Sequence, residues 1–265
     1  MARRSPRTDE RLAWAEAKLG EVQRIALRYF GGRLRITRKP DRSPVTIADR
    51  KIEETLRREL GRAFPGEAIV GEEFGGTPSA AYWTIDPIDG TRPFSRGLPS
   101  WGLLLGRVER GRAVLGACLY PVVRTFVGVA PGVAAYERVE GRRRRLPRAP
   151  KPPAVSDSVL FHGGAAWWLN TRFAAGFTRL VNACYLERVY GDCYAYLWLL
   201  RGRADAVIDC GVKPWDLVPF AALASATGRA MINCAGEPDF MGPDSILAHP
   251  TLARRIAAIL RGTHA

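Results

Sequence analysis

The segment from Trp101 to Tyr136 constrains the fold most, because it consists of short β-rich runs separated by turn residues. The runs read WGLLLGRV, AVLGACLY and TFVGVA, and glycine, arginine or proline stands between them. Short strands joined by such brief connections predict an antiparallel meander. We therefore expect a continuous antiparallel sheet in the first half of the chain.

Two helices are expected before this sheet. Residues 10 to about 30 place apolar side chains at helical spacing and stop at Gly31-Gly32. The segment SPVTIADRKIEETLRRELGRAFPG carries a second apolar stripe and stops at Pro65-Gly66. The first half is therefore predicted to be α+β.

Beyond residue 145 the pattern alternates between helices and strands, which predicts an α/β sheet covered by helices. We place an α+β domain at residues 1–145 and an α/β domain at residues 146–265. The elements expected in the second domain are a helix near 191–201, a strand ADAVID, a helix from about Asp216 to Thr227, strands AMIN and SILA, and a closing helix PTLARRIAAIL.

Cysteine and histidine usage limits the kinds of metal site. The five cysteines are odd in number and include no C-x-x-C pair, which argues against a disulfide framework and a zinc site. The chain has three histidines, and we expect His162 in a loop. Any metal should therefore have oxygen ligands. No apolar run approaches the roughly 18 residues of a membrane span, so we expect a cytoplasmic protein.

The charge balance leaves two interpretations open. With 40 basic and 26 acidic residues, the net charge of +14 suits either a nucleic-acid surface or the attraction of an anionic substrate. The dense cluster GRRRRLPRAPK is flanked by glycine and proline and favours a solvated turn or linker over a docking arm. Because no zinc-finger, KH or RNP pattern is present, nucleic-acid binding is a minor alternative.

Two aspartates end a predicted strand in WTIDPIDGTRPF. Asp86 comes at the carboxyl edge of the strand, and a tight turn can bring Asp89 back beside it. Carboxylates this close need a raised pKa or a bound cation, and Mg²⁺ would also accept the carbonyl of Ile88. The amides of Gly90 and Thr91, at an expected helix start, would face an anion. DPIDG alone is equally compatible with a simple turn cap.

Other acids also follow short apolar runs or begin helices. Glu72 and Glu73 end AIVGEEFG, and Asp216 stands at the helix start in KPWDLVPF. Alone, the two glutamates would be solvated and Asp216 would be an N-cap. Three acidic termini in one chain exceed that expectation.

Four motifs stand in the order SPVTIADRKIE, GEE, DPIDGT and WD. With them, the chain resembles the inositol monophosphatase family of magnesium-dependent phosphatases from about residue 10 to 262. The resemblance implies a layered α/β/α/β/α sandwich, usually a homodimer. It also implies two or three Mg²⁺ ions and a small phosphorylated metabolite as the substrate.

The resemblance also implies roles for individual residues. Thr91 would orient the attacking water with Asp49 behind it, Glu72 would join them in catalysis, and the amides of Gly90 and Thr91 would hold phosphate. The implied metal ligands are Glu72, Asp86, the Ile88 carbonyl, Asp89 and Asp216.

Within the family, four stretches look closer to the histidinol-phosphate phosphatase branch. They are KPDRSPVTIAD, FSRGLPSWG, YGDCYAYLWLLRGRADAVID and CGVKPWD. Asp192 and Asp209 fall where the family contacts the organic half of its substrate, and a carboxylate there would pair with the ammonium or imidazole of histidinol phosphate. Arg188 would bridge to a partner subunit or support Asp192. We expect histidinol phosphate hydrolysis in histidine biosynthesis, with inositol 1-phosphate or another small metabolite as the alternative substrate.

Two stretches depart from the family pattern. SATGR stands where E-A-G-G is usual, and Arg92-Pro93-Phe94 follows DPIDGT in place of x-N-F. Neither departure touches an implied metal ligand, but both bear on substrate identity or loop geometry.

Overall fold

The protein, seen in a computed structural model, is described for residues 8–32, 37–38 and 44–263, with side chains at 10–32 and 46–263. The chain divides into two compact units, Met1–Arg145 and Leu146–Ala265. Among the described residues, no helix combines the length and apolarity needed to cross a bilayer.

The N-terminal unit contains a mixed sheet and two long helices in its described part. Its elements are α1 (Thr8–Tyr29), β1 (Thr37–Arg38), β2 (Pro44–Val45), α2 (Ile47–Ala63), β3 (Ala68–Gly71), β4 (Ala81–Asp89), α3 (Thr91–Ser95), β5 (Gly102–Glu109), β6 (Arg112–Tyr120), β7 (Thr125–Ala130), β8 (Val133–Val139) and β9 (Arg142–Arg145). Strands β3 to β9 form a seven-stranded sheet in sequence order, in which β3 is parallel to β4 and every later pair is antiparallel. Strands β1 and β2 form a separate antiparallel pair.

Apolar stripes on α1 and α2 pack these helices against the sheet. On α2 the stripe is Ile52, Leu56 and Leu60, which are fully buried or nearly so. Phe64, at the end of α2, stacks on Trp83 of β4 with ring centroids 5.4 Å apart. Each large apolar side chain buried in this way contributes about 1.5–3 kcal/mol. This packing fixes α2 over β4 and so determines where its first turn lies.

The predicted meander is confirmed, since its three runs are β5, β6 and β7, and the sheet continues two strands further, through β8 and β9. Arg142–Arg145, expected in a turn or linker, pair with β8 as the exposed strand β9. The chain reverses at Glu140 and Gly141, which both have positive φ and so form the kind of turn that suits a tight hairpin. Arg144 then forms an ion pair with the buried Glu137 of β8.

The C-terminal unit contains a five-stranded mixed sheet. Its elements are β10 (Val159–His162), α4 (Ala165–Leu169), α5 (Ala174–Ala183), β11 (Leu186–Val189), α6 (Asp192–Leu200), β12 (Ala206–Cys210), α7 (Pro214–Ala226), β13 (Ala230–Ile232), β14 (Asp244–Ala248) and α8 (Pro250–Arg261). The strand order is β11-β10-β12-β14-β13. Strand β10 is parallel to β11 and β12, whereas β14 is antiparallel to β12 and β13.

Helices cover this sheet as the alternating pattern predicts, so the α/β class is confirmed. Ile208 and Ile246 belong to a core shared with α5 and α8, and α6 packs on α7 through Tyr196 and Phe220, whose rings stack 4.3 Å apart. The loop expected at His162 is wrong. His162 is the last residue of β10 and is fully buried, with its ring bonded to Glu187 and to a backbone carbonyl.

Candidate functional site

A bulge at the end of β4 turns the two aspartates of DPIDG to the same side. Residues three apart in a regular strand face opposite sides of the sheet. Here Asp86 lies opposite Leu104 and Asp89 opposite Gly102, so three steps along β4 match two along β5. The bulge takes up the extra residue. A carboxylate oxygen of Asp86 consequently lies within 4.8 Å of one of Asp89.

Two local features of DPIDG are compatible with this bulge. Pro87 has no N–H group, so placing it there removes no sheet hydrogen bond. The buried Asp86 carboxylate accepts a hydrogen bond from the amide of Ile88 at 3.0 Å, which is the local turn that aspartate favours. Ile88 itself is fully buried. The Asp86 side chain is therefore held in a defined direction.

Gly90 connects the bulge to α3. Its φ is +85°, and a Cβ added there would lie 2.7 Å from the carbonyl oxygen of Ser100, so glycine is required. The expected helix start at Thr91 is confirmed, although α3 is only five residues long. The Thr91 hydroxyl donates to the Ile88 carbonyl at 3.0 Å and lies 3.4 Å from Oδ1 of Asp49.

Asp49 lies in the first turn of α2 and forms a capping box with Thr46. The amide and hydroxyl of Thr46 donate to Oδ2 of Asp49 at 2.7 and 2.5 Å, and the Thr46 hydroxyl oxygen accepts from the amide of Ala48. Burial raises the pKa of Asp49 to about 6, and the nearby Glu72 adds to this, while the bonds from Thr46 act in the opposite direction. Oδ1 is left facing the Thr91 hydroxyl.

Glu72 lies in a tight turn directly after β3. Gly71 and Gly75 exchange backbone hydrogen bonds of 2.9 and 3.0 Å across this turn, and the Glu72 amide donates to the carbonyl of Ile85 on β4. Glu72 is half-buried. The turn therefore ties Glu72 to the strand that carries the two aspartates.

The sequence patterns did not single out Glu53, which also contacts this turn. Its fully buried carboxylate accepts hydrogen bonds from the amides of Glu73 and Phe74. The available signal was its position four residues after Asp49, on the same face of α2. Spacing alone gives no information about backbone partners, so this contact required the structure.

The C-terminal unit brings together the two acids expected to contact the organic half of the substrate. Burial raises the pKa of Asp209 to about 8, and the Asp192 carboxylate is the next cause. The Asp209 side chain accepts from the amide of Cys210 and fits against Gly163, where an added Cβ would lie only 2.4 Å from Oδ1. Asp192 begins α6 with φ of +57°, an uncommon conformation for a residue other than glycine.

Asp216 and Arg188 lie elsewhere in the C-terminal unit. Asp216 is the third residue of α7, because this helix begins at Pro214 and not at Asp216 as expected. One of its oxygens accepts from the amide of Lys213 at 2.8 Å, so Asp216 does act as a helix cap. Arg188 is exposed on the edge strand β11 and donates to the Glu187 carbonyl.

The donor set of the N-terminal unit suits a hard divalent cation. The groups around the β4 bulge are the carboxylates of Asp86 and Asp89, the Ile88 carbonyl and, on the neighbouring turn, Glu72. These are oxygen donors, which Mg²⁺ prefers. A cation would also relieve the repulsion between two like charges within 4.8 Å.

Comparison with known proteins connects this geometry to a family. Residues 8–264 match the model of the inositol monophosphatase family. A histidinol-phosphatase of Mycobacterium tuberculosis is 32% identical over 85% of this chain and 89% of its own length. An inositol-1-monophosphatase of Mycobacterium bovis is 30% identical over 95% of this chain and 90% of its own length.

A solved structure agrees with the family match. The inositol monophosphatase from Zymomonas mobilis superposes with a TM-score of 0.82 at 26% identity, covering 96% of this chain and 98% of that one. Both relatives named above are phosphatases that act on monoesters. This chain therefore belongs to the inositol monophosphatase family and is a phosphoric monoester hydrolase.

Proposed function

We propose that this enzyme is a magnesium-dependent phosphatase that hydrolyses histidinol phosphate to histidinol and phosphate, as a cytoplasmic step of histidine biosynthesis. The family is metal-dependent and acts on small phosphorylated metabolites. The observation that carries the proposal is the pair Asp86 and Asp89, turned to one side by the β4 bulge with oxygens within 4.8 Å. Two ionised carboxylates this close need a cation between them.

We propose that the carboxylates of Asp86, Asp89 and Asp216 are metal ligands, since Mg²⁺ prefers oxygen donors. We assign Glu72 and the Ile88 carbonyl as further ligands of two or three ions. In this proposal the N-terminal unit supplies most ligands, and the C-terminal unit supplies Asp216 and the specificity residues. Bound Mg²⁺ would lower the pKa of the attacking water and neutralise charge on the leaving oxygen.

Thr91 and Asp49 are proposed to orient the attacking water. A hydroxyl has one hydrogen to donate, and here the Ile88 carbonyl and Asp49 are both acceptors near Oγ1 of Thr91. With that hydrogen engaged, the oxygen lone pairs of Thr91 accept a hydrogen bond from water and direct the water oxygen toward phosphorus. The amides of Gly90 and Thr91 would hold the phosphate oxygens.

The preference for histidinol phosphate is supported by Asp192 and Asp209. Burial and the neighbouring Asp192 disfavour the charged form of Asp209, as the raised pKa shows. A cationic group between the two acids would reverse this, because it favours ionised carboxylates. Histidinol phosphate carries an ammonium and an imidazole. Inositol 1-phosphate carries only hydroxyls, and it stays the alternative substrate because an inositol-1-monophosphatase is 30% identical.

A comparison of kcat/KM on histidinol phosphate and inositol 1-phosphate tests the substrate. We expect histidinol phosphate to be preferred, and both activities to vanish in excess chelator and return with Mg²⁺. A preference for inositol 1-phosphate would overturn the role of Asp192 and Asp209 and leave the phosphatase assignment intact. Full activity in excess chelator would overturn the metal site.

We also propose a homodimer that uses the edge strand β11. Tyr185, Val189 and Tyr190, on and beside this strand, are 75%, 59% and 42% exposed. Apolar groups on an edge strand favour pairing with another chain, and Arg188 on the same strand would bridge to the partner or support Asp192. Light scattering in solution should give twice the mass of 29.2 kDa. A monomeric mass would contradict the proposal.

A further inference from the structure

We propose that Glu53 and Arg57 of α2 are positioning residues that hold the Glu72 turn in its metal-binding geometry. This inference rests on the function proposed above, since it assigns a support to one of the proposed metal ligands. The Glu72 turn is defined as Gly71–Gly75, which follows β3.

Glu53 binds the middle of the Glu72 turn. Its Oε2 accepts from the amide of Glu73 at 2.7 Å, and its Oε1 accepts from the amide of Phe74 at 3.2 Å. Glu53 is fully buried, and a buried carboxylate is costly unless its oxygens are well bonded. Arg57 provides the third bond, from Nε to Oε1 at 2.7 Å. The carboxylate is thus committed to the turn and to one arginine.

Arg57 binds the far end of the same turn. Its Nη2 donates to the carbonyl of Gly75, and its guanidinium lies 5.9 Å from the centre of the Phe74 ring. At the near end, a Cβ added to Gly71 would lie 2.0 Å from Oε1 of Glu53. The helix therefore contacts the turn along its whole length.

These contacts go beyond what closure of the turn requires. The backbone bonds between Gly71 and Gly75 already join its two ends. The bonds from Glu53 act at the two amides that directly follow Glu72, so they fix the backbone from which the Glu72 side chain projects. The groups that support a metal ligand set its direction, and their loss typically weakens metal binding about 10- to 100-fold.

One face of α2 links this support to the water-orienting side of the site. Asp49, Glu53 and Arg57 are spaced four residues apart and so lie along one stripe of the helix. Asp49 faces Thr91, while Glu53 and Arg57 face the Glu72 turn. A single rigid helix thus sets the spacing between the proposed nucleophile-orienting group and a proposed metal ligand.

Titration with Mn²⁺, followed by its paramagnetic signal, tests the role of Glu53 without measuring activity. Glu53→Gln replaces an acceptor oxygen by an amide donor, so one turn amide loses its partner. We expect the Kd for Mn²⁺ to rise about 10- to 100-fold. The matched control is Glu54→Gln, the same change at the adjacent, exposed position of α2, and it should keep the wild-type Kd. Thermal melts of the metal-free proteins report folding separately.

Arg57→Lys provides a second test that leaves the buried carboxylate in place. Lysine keeps the charge but cannot donate to both Glu53 and the Gly75 carbonyl in a fixed fork. We expect weaker Mn²⁺ binding than wild type, with Arg58→Lys on the exposed face as the control. Wild-type Mn²⁺ affinity in folded Glu53→Gln and in Arg57→Lys would show a purely structural role and overturn the inference. Absence of Mn²⁺ binding in the wild-type enzyme would overturn the proposed metal site, and the inference with it.

Discussion

At the scale of single residues, Asp89 is the sharpest test of the proposed metal site. Asp89→Asn removes the charge and keeps the shape, and the β4 pairing opposite Gly102 depends on backbone groups. We expect turnover to fall by at least about 10²- to 10³-fold, the cost of removing a group that stabilises transition-state charge. Phosphate release measures turnover, and thermal melting shows whether the fold is kept. Asp157→Asn, at an exposed position, is the control and should retain activity.

Gly163 provides a residue-scale test of the proposed substrate pocket. In Gly163→Ala the new Cβ would lie 2.4 Å from Oδ1 of Asp209, so the carboxylate must move. We expect KM for histidinol phosphate to rise about tenfold, with kcat less affected, and a loss of stability of about 1–3 kcal/mol. Gly164→Ala, where the nearest atom is Trp167 Cδ1 at 3.3 Å, is the matched control. An unchanged KM in Gly163→Ala would show that Asp209 does not contact the substrate.

The raised pKa of Asp209 predicts how stability depends on pH. Its pKa is about 8 in the folded chain and about 4 when unfolded. Between these values the folded state keeps a proton that the unfolded state has lost, so the free energy of unfolding falls as pH rises, by up to about 1.4 kcal/mol per unit. Asp209→Asn removes this dependence. Urea unfolding in chelator should therefore show the variant gaining stability over wild type from about pH 4 to 8 and no further gain above. A pH-independent difference would show that Asp209 is ionised throughout.

At the scale of elements, the sequence predicted most helices and strands but not all pairings. The apolar stripe of α2 and the β-rich runs of β5 to β7 were visible in the sequence, and the structure has them. Strand β9 was missed because all four of its side chains are exposed arginines, which carry no buried face. Strand β10 was missed because its four residues are too short to show alternation before Gly163.

The same distinction explains what could be predicted at the site. DPIDGT identified the two aspartates, since their chemistry is visible in the residue types. The bulge that turns them to one side depends on the register with β5, which local sequence does not specify. The contact of Glu53 with the Glu72 turn was missed because its partners in that turn are backbone amides, which are the same at every position.

SATGR has a structural use at the end of α7, where the buried Arg229 donates to the carbonyls of Leu199 and Pro147.

The capping box of α2 links the stability of an element to catalysis. Thr46→Ala removes the side-chain cap and one of the two donors to Oδ2 of Asp49. We expect a loss of about 1 kcal/mol of stability, and a severalfold fall in kcat because Asp49 is less well oriented toward Thr91. Urea unfolding and steady-state kinetics measure the two effects. Thr46→Ser keeps the hydroxyl and should preserve both. Full activity in a destabilised Thr46→Ala would separate the cap from catalysis.

At the scale of the whole molecule, the proposed active site does not explain the net charge of +14. The four arginines of β9 are the densest group, yet Arg144 is paired with Glu137 and Arg143 lies over the Tyr136 ring at 3.6 Å. These contacts leave Arg142 and Arg145 as the more available members of the strand. Two exposed arginines on one edge strand support a nucleic-acid-binding surface less well than a general electrostatic attraction of anions by the whole protein.

A general positive field predicts a particular dependence on salt. A phosphate ester is an anion, so a strongly positive protein attracts it over distances comparable to the Debye length, about 8–10 Å at physiological ionic strength. Raising KCl should therefore lower kcat/KM severalfold and leave kcat nearly constant, because saturation removes the contribution of encounter. Replacing Arg142–Arg145 by glutamine reduces the net charge from +14 to +10, and it should weaken the salt dependence in proportion. An equal fall in kcat and kcat/KM would show that salt acts on the catalytic step and not on the long-range attraction of the substrate. RNA binding that persists at moderate salt and is lost in the glutamine variant would instead favour the nucleic-acid interpretation of β9.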